Sequence, residues 1–579
     1  MRRYLSESLI VFGLLLLTAF VYWPVLENDF VYWDDNVEIY ANPHLKGITA
    51  EALRWMFCDT GYVVRYQPLA WLTWSIVYEL FGRQPIGYHL ASLLFHCLNT
   101  GLVFLLIRKL LLLVQPEGLS RPKYNYLLVC AGLGTLLWAL HPLRVETVAW
   151  ASAFLHCQAL LFLLAAGLCY LEAAEPEPTD RRRRVFYWVS VGSFAVSLLS
   201  YPIGLAFVVI IVVLDFYPLK RLTGLWWQPA ARQVWLEKLP FAVVACLVLG
   251  ITLLLRFNTS SQWARPVTLA QFGMLSRIMQ AGYVWAFYLW KPWVPFHLSP
   301  VYTTLVSFNP ASAPFLLSLA LVVGMSVLLA WRRQQWPAAL ALWVCHLVWL
   351  VPVLGLTEQP HYANDRYSLV TGIFLSILCA AVLLELWEQR VRRALGLGMV
   401  VLATAFLAGL SARQIGIWRN SLTLFEYMIA RLGNDPYRAD IYWRLGVVQM
   451  EKGAQEKALE SFNRSLEINP DDFYVHRLVA SHYYKLGRFE EARNHYEAAL
   501  RGDPRNAELL NGLGAVVCAQ GDWVKASEYF SHALQLNPNL SSANFNMGLA
   551  LANLGKKEEA MAYFQKAERL TTAEPAPKN

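Results

Sequence analysis

The sequence predicts an all-α protein: a polytopic membrane helical bundle followed by an α-solenoid of short helical repeats. Three observations predict this. Of 579 residues, 56% are hydrophobic and only 16% charged, against about 25% charged in a soluble domain. The deficit is uneven: residues 1 to 415 hold nearly all the long apolar runs, while 434–579 have ordinary soluble composition. Within that second part, residue types recur every 34 positions. The expected division is a membrane domain at 1–415, a linker or half-repeat at 416–438, four repeats at 439–572 and a tail at 573–579.

The chain opens with Arg2 and Arg3, then an apolar stretch from Leu9 to Leu26. Glu27, Asn28, Asp29 and Phe30 follow, with no small-residue cleavage site, so an uncleaved first helix is expected over 9–26. Further spans fall at roughly 88–113, 125–141, 146–171, 185–200, 202–217, 239–256, 314–331, 336–354, 367–387 and 395–413, each near the ~20 residues that a bilayer requires. A further apolar piece, 277–296, carries Arg277, Lys291, Pro292 and Pro295. Basic clusters at Arg108–Lys109 with Arg121 and Lys123, at Arg181–Arg184, at Lys220–Arg221 with Arg232 and Lys238, at Arg332–Arg333 and at Arg390–Arg393 all fall on one side only if 277–296 is re-entrant or interfacial. That gives about 11 spans, a cytoplasmic N-terminus and a repeat domain outside the cytoplasm. Together with the lack of a cleaved leader and the compact loops, this suggests a bacterial inner membrane with the repeats in the periplasm or outside. The same clusters account for the net charge of +8, so no nucleic-acid partner is expected. Nine cysteines form no CxxC pair; Cys130, Cys169, Cys246 and Cys379 sit within apolar runs as small hydrophobes, and neither a zinc site nor a disulfide framework is expected.

From residue 439 four columns repeat: Pro470, Pro504 and Pro538; Ala458, Ala492, Ala526 and Ala560; Phe462, Tyr496, Phe530 and Phe564; and Gly446, Ala480, Gly514 and Gly548. The period and the residue types resemble the tetratricopeptide repeat. Small residues let paired helices approach, aromatics fill the space between them, and proline ends each second helix. Such a stack offers a concave face to peptides or partner proteins.

Polar clusters beside a bilayer are costly and are therefore candidates for function. The first outward loop carries Asp34 and Asp35 within Phe30-Val31-Tyr32-Trp33-Asp34-Asp35-Asn36. One acid suits a general base toward a hydroxyl acceptor; either suits orienting that acceptor or holding a divalent ion. A solvated loop at a helix end is the plainer alternative. At 141–150, His141, Arg144 and Glu146 share one membrane edge and could receive a phosphate, or could form an interfacial anchor with a local Arg–Glu pair. Asp365 and Arg366 precede another span, while Arg265, Arg277 and Lys291 are further cations on the same side. No Walker motif, dinucleotide fingerprint, zinc spacing or nucleophile elbow is present.

Together these motifs resemble the transmembrane and tetratricopeptide-repeat-containing (TMTC-like) family, in its bacterial branch. Its eukaryotic members are protein O-mannosyltransferases of the glycosyltransferase-C superfamily. The resemblance covers almost the whole chain and rests on YWDDNVEIYANPHL, QPLAWLTW, GYHLASLLFHCLNTGLVFLLIRKL, ALHPLRVETVAWASA, LDFYPLKR, EKLP, VPVLGL, NDRYSL and the repeats. It implies a glycosyltransferase-C-like bundle that takes sugar from a polyprenyl-phosphate donor to a protein or glycan acceptor. Asp34 or Asp35 would be the base, with a slight preference for Asp34, and Arg144, Arg366 and Lys291 would meet the leaving phosphate. Three positions depart from the bacterial pattern. Phe154-Leu155-His156 stands where Arg-Lys-Asp is common, Tyr201-Pro202 where Lys-Pro is common, and Gln67 where a basic residue or histidine often precedes the Pro-Leu. A membrane-anchored repeat scaffold and a lipid-linked glycan ligase are the other readings of the same sequence.

Overall fold

A computed structural model of the chain describes residues 2–58, 62, 65–115, 119–175, 180–222, 228–258, 267–306, 308–356 and 361–573. Their regular secondary structure is helical, with one isolated bridge between Tyr302 and Ala363. Two compact units divide at residues 424 and 425.

In the first unit, α1 (Arg2–Tyr22) leads through a loop holding two short helices, α2 (Ala50–Cys58) and α3 (Pro68–Phe81), to α4 (Pro85–Leu113). There follow α5 (Arg121–Ala139), α6 (Val145–Ala149), α7 (Phe154–Ala173), α8 (Asp180–Ser200), α9 (Phe207–Phe216), α10 (Pro229–Leu236) and α11 (Leu239–Asn258). The unit closes with α12 (Met274–Trp290), α13 (Ala313–Trp331), α14 (Pro337–Leu350), α15 (Ser368–Glu385) and α16 (Arg390–Ile417). Each expected span coincides with a helix, but among the described residues seven are long and apolar enough to cross a bilayer, or eight if α5 and the bent segment Pro142–Ala149 are one span. The expected count of about 11 is not reached on this measure. Pro202–Phe216 and Pro337–Val353 are shorter apolar segments, and α8 begins with four arginines. The chain is an integral membrane protein of several apolar helices. Segment 277–296 is the 17-residue α12 followed by a 3-10 turn at Lys291–Trp293.

Helix α7 is the centre of this unit; it packs against α4 and α8 and is buried on nearly every face. Helices α1, α11, α13 and α16 instead expose ridges such as Leu9, Phe12, Leu16 and Phe20, as lipid-facing helices do. Helix α5 ends at Ala139, and the next turn, begun by Pro142, departs by 56°. Proline offers no N–H and restricts the residue before it, so the chain turns here and carries His141, Arg144 and Glu146 into the interior.

The second unit is built of four helix pairs: Arg438–Glu451 with Gln455–Ile468, Phe473–Lys485 with Phe489–Gly502, Ala507–Ala519 with Trp523–Leu536, and Ser541–Asn553 with Lys557–Ala573. Within pairs, Gly453, Gly487, Gly521 and Gly555 turn the chain at φ between 73° and 89°, a region closed to most side chains. A Cβ on Gly446, Gly514 or Gly548 would lie 2.6–2.8 Å from the ring of Phe462, Phe530 or Phe564. The glycine column is thus the dent that receives the aromatic column. In the second repeat, where Ala480 stands in place of glycine, Tyr496 packs against Gly512 of the next.

Candidate active site in the membrane unit

The loop after α1 is fastened from several directions. Asp29 N–H donates to Arg419 O at 2.8 Å and Tyr32 N–H to Ser421 Oγ at 2.9 Å. Asp35 is fully buried, and its carboxylate accepts from Val31 N–H at 2.9 Å, Ser152 N–H at 2.8 Å and the Ser152 hydroxyl at 2.5 Å. Burial pushes this carboxyl up to about 7, with the three donors and Asp34 acting as smaller influences. Asp35 therefore clamps the loop to the turn before α7.

Its neighbour differs. Asp34 is partly exposed, and among the described residues only its backbone oxygen is bonded, by Val37 and Glu38 N–H. Its carboxylate lies within electrostatic reach of Glu38 and Arg65. Glu38, buried one helical turn on, accepts from Gln67 Nε2 at 2.9 Å and pairs with Arg65 at 3.5 Å. Burial raises it to about 7, Arg65 opposing. Asp35 thus accepts three hydrogen bonds, two on one oxygen and one on the other. No group of three or more His, Cys, Asp or Glu suited to a metal occurs among the described residues.

Around Arg65 stand further charges and phenols from distant helices. Arg65 is within reach of Tyr201 and Tyr367, and Arg256, in the last turn of α11, is within reach of Tyr201, Tyr367 and Arg65. The His156 ring lies 4.4 Å from Tyr201 and 6.4 Å from Tyr367. Arg366 stacks 5.3 Å over Trp150 and pairs with Glu146 at 2.5 Å, and its own N–H meets the other oxygen of Glu146 at 3.1 Å. All three departures noted in the sequence, Gln67, His156 and Tyr201, face this one constellation.

The remaining candidates form a second group behind the Glu146–Arg366 pair. Asp365 accepts from Tyr302 at 2.7 Å and lies within reach of Lys291 and Arg144. Lys291 donates to Phe296 O at 2.9 Å and sits 4.9 Å over Tyr302. Arg144, 1% exposed, donates to Ser368 Oγ at 2.5 Å, while its Nε and Nη1 have no partner. It lines a cavity of about 220 Å³ whose other walls are apolar, among them Leu137, Trp138, Pro292, Phe296, Leu375 and Phe406. His141 lines it too, but both ring nitrogens are engaged, by Leu143 N–H at 3.2 Å and Pro292 O at 3.0 Å, so it serves as a cap. Arg277 joins neither group among the described residues; its guanidinium binds the backbone oxygens of Val267, Phe272 and Leu356. Arg265 lies outside the described residues.

Glu38, Arg65 and Arg256 were not singled out in the sequence. Glu38 stands at i+4 from Asp34, and Arg256 is a lone charge closing an apolar run, a position that itself marks function. Arg65 had no such signal.

Tetratricopeptide-repeat models match residues 439–472, 480–541 and 541–573. The Drosophila melanogaster "Protein O-mannosyl-transferase Tmtc3" is 24% identical over 88% of this chain and 52% of its own length. The Homo sapiens "Protein O-mannosyl-transferase TMTC3" is 22% identical over 95% of this chain and 63% of its own. Both alignments run through the membrane unit and the repeats. The chain is a TMTC-like tetratricopeptide-repeat protein. It spans between half and two thirds of the length of those two TMTC relatives. The Pseudomonas aeruginosa "Type IV pilus assembly protein PilF" is 31% identical, over 25% of this TMTC-like chain and 58% of its own length.

Proposed function

We propose that this chain is a membrane glycosyltransferase that moves a sugar from a polyprenyl-phosphate donor to a hydroxyl of a protein or glycan, with Asp34 as general base. The observation that carries this reading is the contrast between two adjacent acids. Asp35 is buried and accepts three hydrogen bonds, whereas among the described residues Asp34 presents an unbonded carboxylate beside Arg65. In the reaction, Asp34 takes the acceptor's hydroxyl proton, the acceptor oxygen bonds to the anomeric carbon, and the carbon–oxygen bond to phosphate breaks with its electron pair on the lipid phosphate. Charge developing on that phosphate requires fixed cations; Arg65, Arg256 and Arg366 surround the Tyr201–Tyr367 space. Arg144, whose Nε and Nη1 have no partner among the described residues and which lines an apolar cavity, suits the phosphate of a lipid carrier whose chain lies among Trp138, Phe296 and Phe406. Asp365 and Lys291 hold that wall. The repeats recruit protein acceptors, and a bacterial inner membrane with Asp34 and the repeats on the outer side fits the basic clusters.

The test compares cells expressing the wild type, Asp34→Asn and Asp35→Asn at matched levels, profiling envelope glycoproteins and lipid-linked sugars. Loss of one glycan with build-up of one lipid-linked sugar in Asp34→Asn supports the reading and names the donor. Unchanged profiles overturn it. They would favour a membrane-anchored scaffold, a reading supported by relatives that match only part of this chain, such as the pilus assembly protein, and by the three altered polar positions Gln67, His156 and Tyr201.

A further inference from the structure

The 21 residues of α1 span about 31 Å, and the end opposite the Asp34 loop meets a second polar belt that sugar transfer does not use. Glu7 pairs with Arg108 at 3.3 Å, Lys109 with Glu172 at 2.7 Å, and Glu172 with Arg182 at 3.0 Å. The belt continues to a buried knot. Asp215 accepts from Lys238 at 2.6 Å, Tyr170 at 2.6 Å and Arg221 at 3.2 Å, while Glu237 takes Arg221 at 2.5 Å and Arg183 at 2.7 Å. Beside it opens a cavity of about 560 Å³ lined by Arg183, Arg184, Arg221, Tyr187, Trp188 and Glu237, among others. Asp215 and Lys238 neutralise each other, so three guanidinium groups face the single carboxylate of Glu237, an excess of two positive charges (3 − 1).

Both α8 and α11 start at this belt, run away from it and pack together. Their exposed residues Val185, Trp188 and Val189, with Leu239, Val243 and Leu247, make an apolar strip that leads out of the cavity. A soluble anion would satisfy the arginines and leave that strip bare. A zwitterionic choline lipid would bring its own cation against them. An anionic phosphodiester on a diacyl chain satisfies both surfaces.

We propose that this pocket binds the headgroup of an acidic glycerophospholipid through Arg183, Arg184 and Arg221, with an acyl chain along α8 and α11. The lipid ties the start of α8 to α10 and α11 at the membrane edge.

Native mass spectrometry of the detergent-solubilised full chain tests this, with phosphatidylglycerol, phosphatidylcholine and inorganic phosphate as probes. Phosphatidylglycerol is expected to be retained at least about fivefold better than phosphatidylcholine, and Arg184→Gln to lower that retention about fivefold. Among the described residues Arg184 makes only a hydrogen bond to the backbone oxygen of Asp180, so this variant leaves the knot intact and the fold unaffected. Glu237→Gln removes the competing negative charge and is expected to strengthen retention. Equal retention of the two lipids, or wild-type retention by Arg184→Gln, overturns the proposal. Displacement of phosphatidylglycerol by millimolar inorganic phosphate would mark a general anion site and overturn it as well.

Discussion

The two ends of α1 meet acidic groups in opposite condition. At one end Glu7, Glu172, Asp215 and Glu237 each face a lysine or arginine within 3.3 Å. At the other, Asp35 accepts three hydrogen bonds from neutral donors and Asp34 has no hydrogen-bond partner for its carboxylate among the described residues. An acid held in an ion pair is a poor proton acceptor, because its cation favours the ionised form. Under the proposed function, reactivity resides where pairing is withheld, and rigidity where it is complete.

Four measurements would sharpen or break this contrast. The largest effect belongs to Asp34→Asn, for which glycosyl transfer should fall about 10²–10⁴-fold, as for loss of a general base, with an unchanged melting transition. An equal fall in stability would show that Asp34 is structural and erase the difference between the ends. Next comes Asp215→Asn, which leaves Lys238 and Arg221 buried without their carboxylate; about 3–5 kcal/mol of stability should be lost. The surviving folded protein should transfer sugar normally, and denaturant titration in detergent beside a transfer assay checks both.

A smaller effect concerns pH. Burial holds Asp35 and Glu38 near 7, above their ordinary values of 3.8 and 4.5. The folded loop therefore binds protons more tightly than the unfolded one. The stability this supplies is present in full below about 4 and is lost as pH rises through about 7. Hydrogen exchange across 28–40 should quicken over that range, and Asp35→Asn with Glu38→Gln should flatten the profile. The smallest effect is expected from Arg182→Gln. Its pair with Glu172 is half exposed, and Glu172 keeps Lys109, so stability should move by less than about 1 kcal/mol. A larger loss would mean that the belt is one cooperative network.

Much of the fold was legible because it is periodic. The repeats announce themselves every 34 residues, and their glycine and aromatic columns meet as dent and ring. Spans were legible as apolar runs, but α8, α9 and α14 are short or charged for a bilayer, and hydropathy alone does not say which of them cross it. The site was legible in part. Adjacent acids at 34 and 35 look equivalent in one dimension; what separates them is Ser152, 117 residues away. Arg144 looked interfacial until the proline-driven turn after α5 carried it inside. Arg65 and Arg256 are isolated cations whose meeting depends wholly on tertiary packing. By contrast, the three altered family positions proved informative as a set, since Gln67, His156 and Tyr201 gather around one space.

The strap formed by Asp29 on Arg419 and Tyr32 on Ser421 has a mechanical consequence. Helix Ser421–Leu432 continues directly into the segment that carries the repeats. Under the proposed function, a pull on the chain just beyond Ser421 would be met first by this strap, within two residues of Asp34, and load would then join concentration as a variable in the reaction.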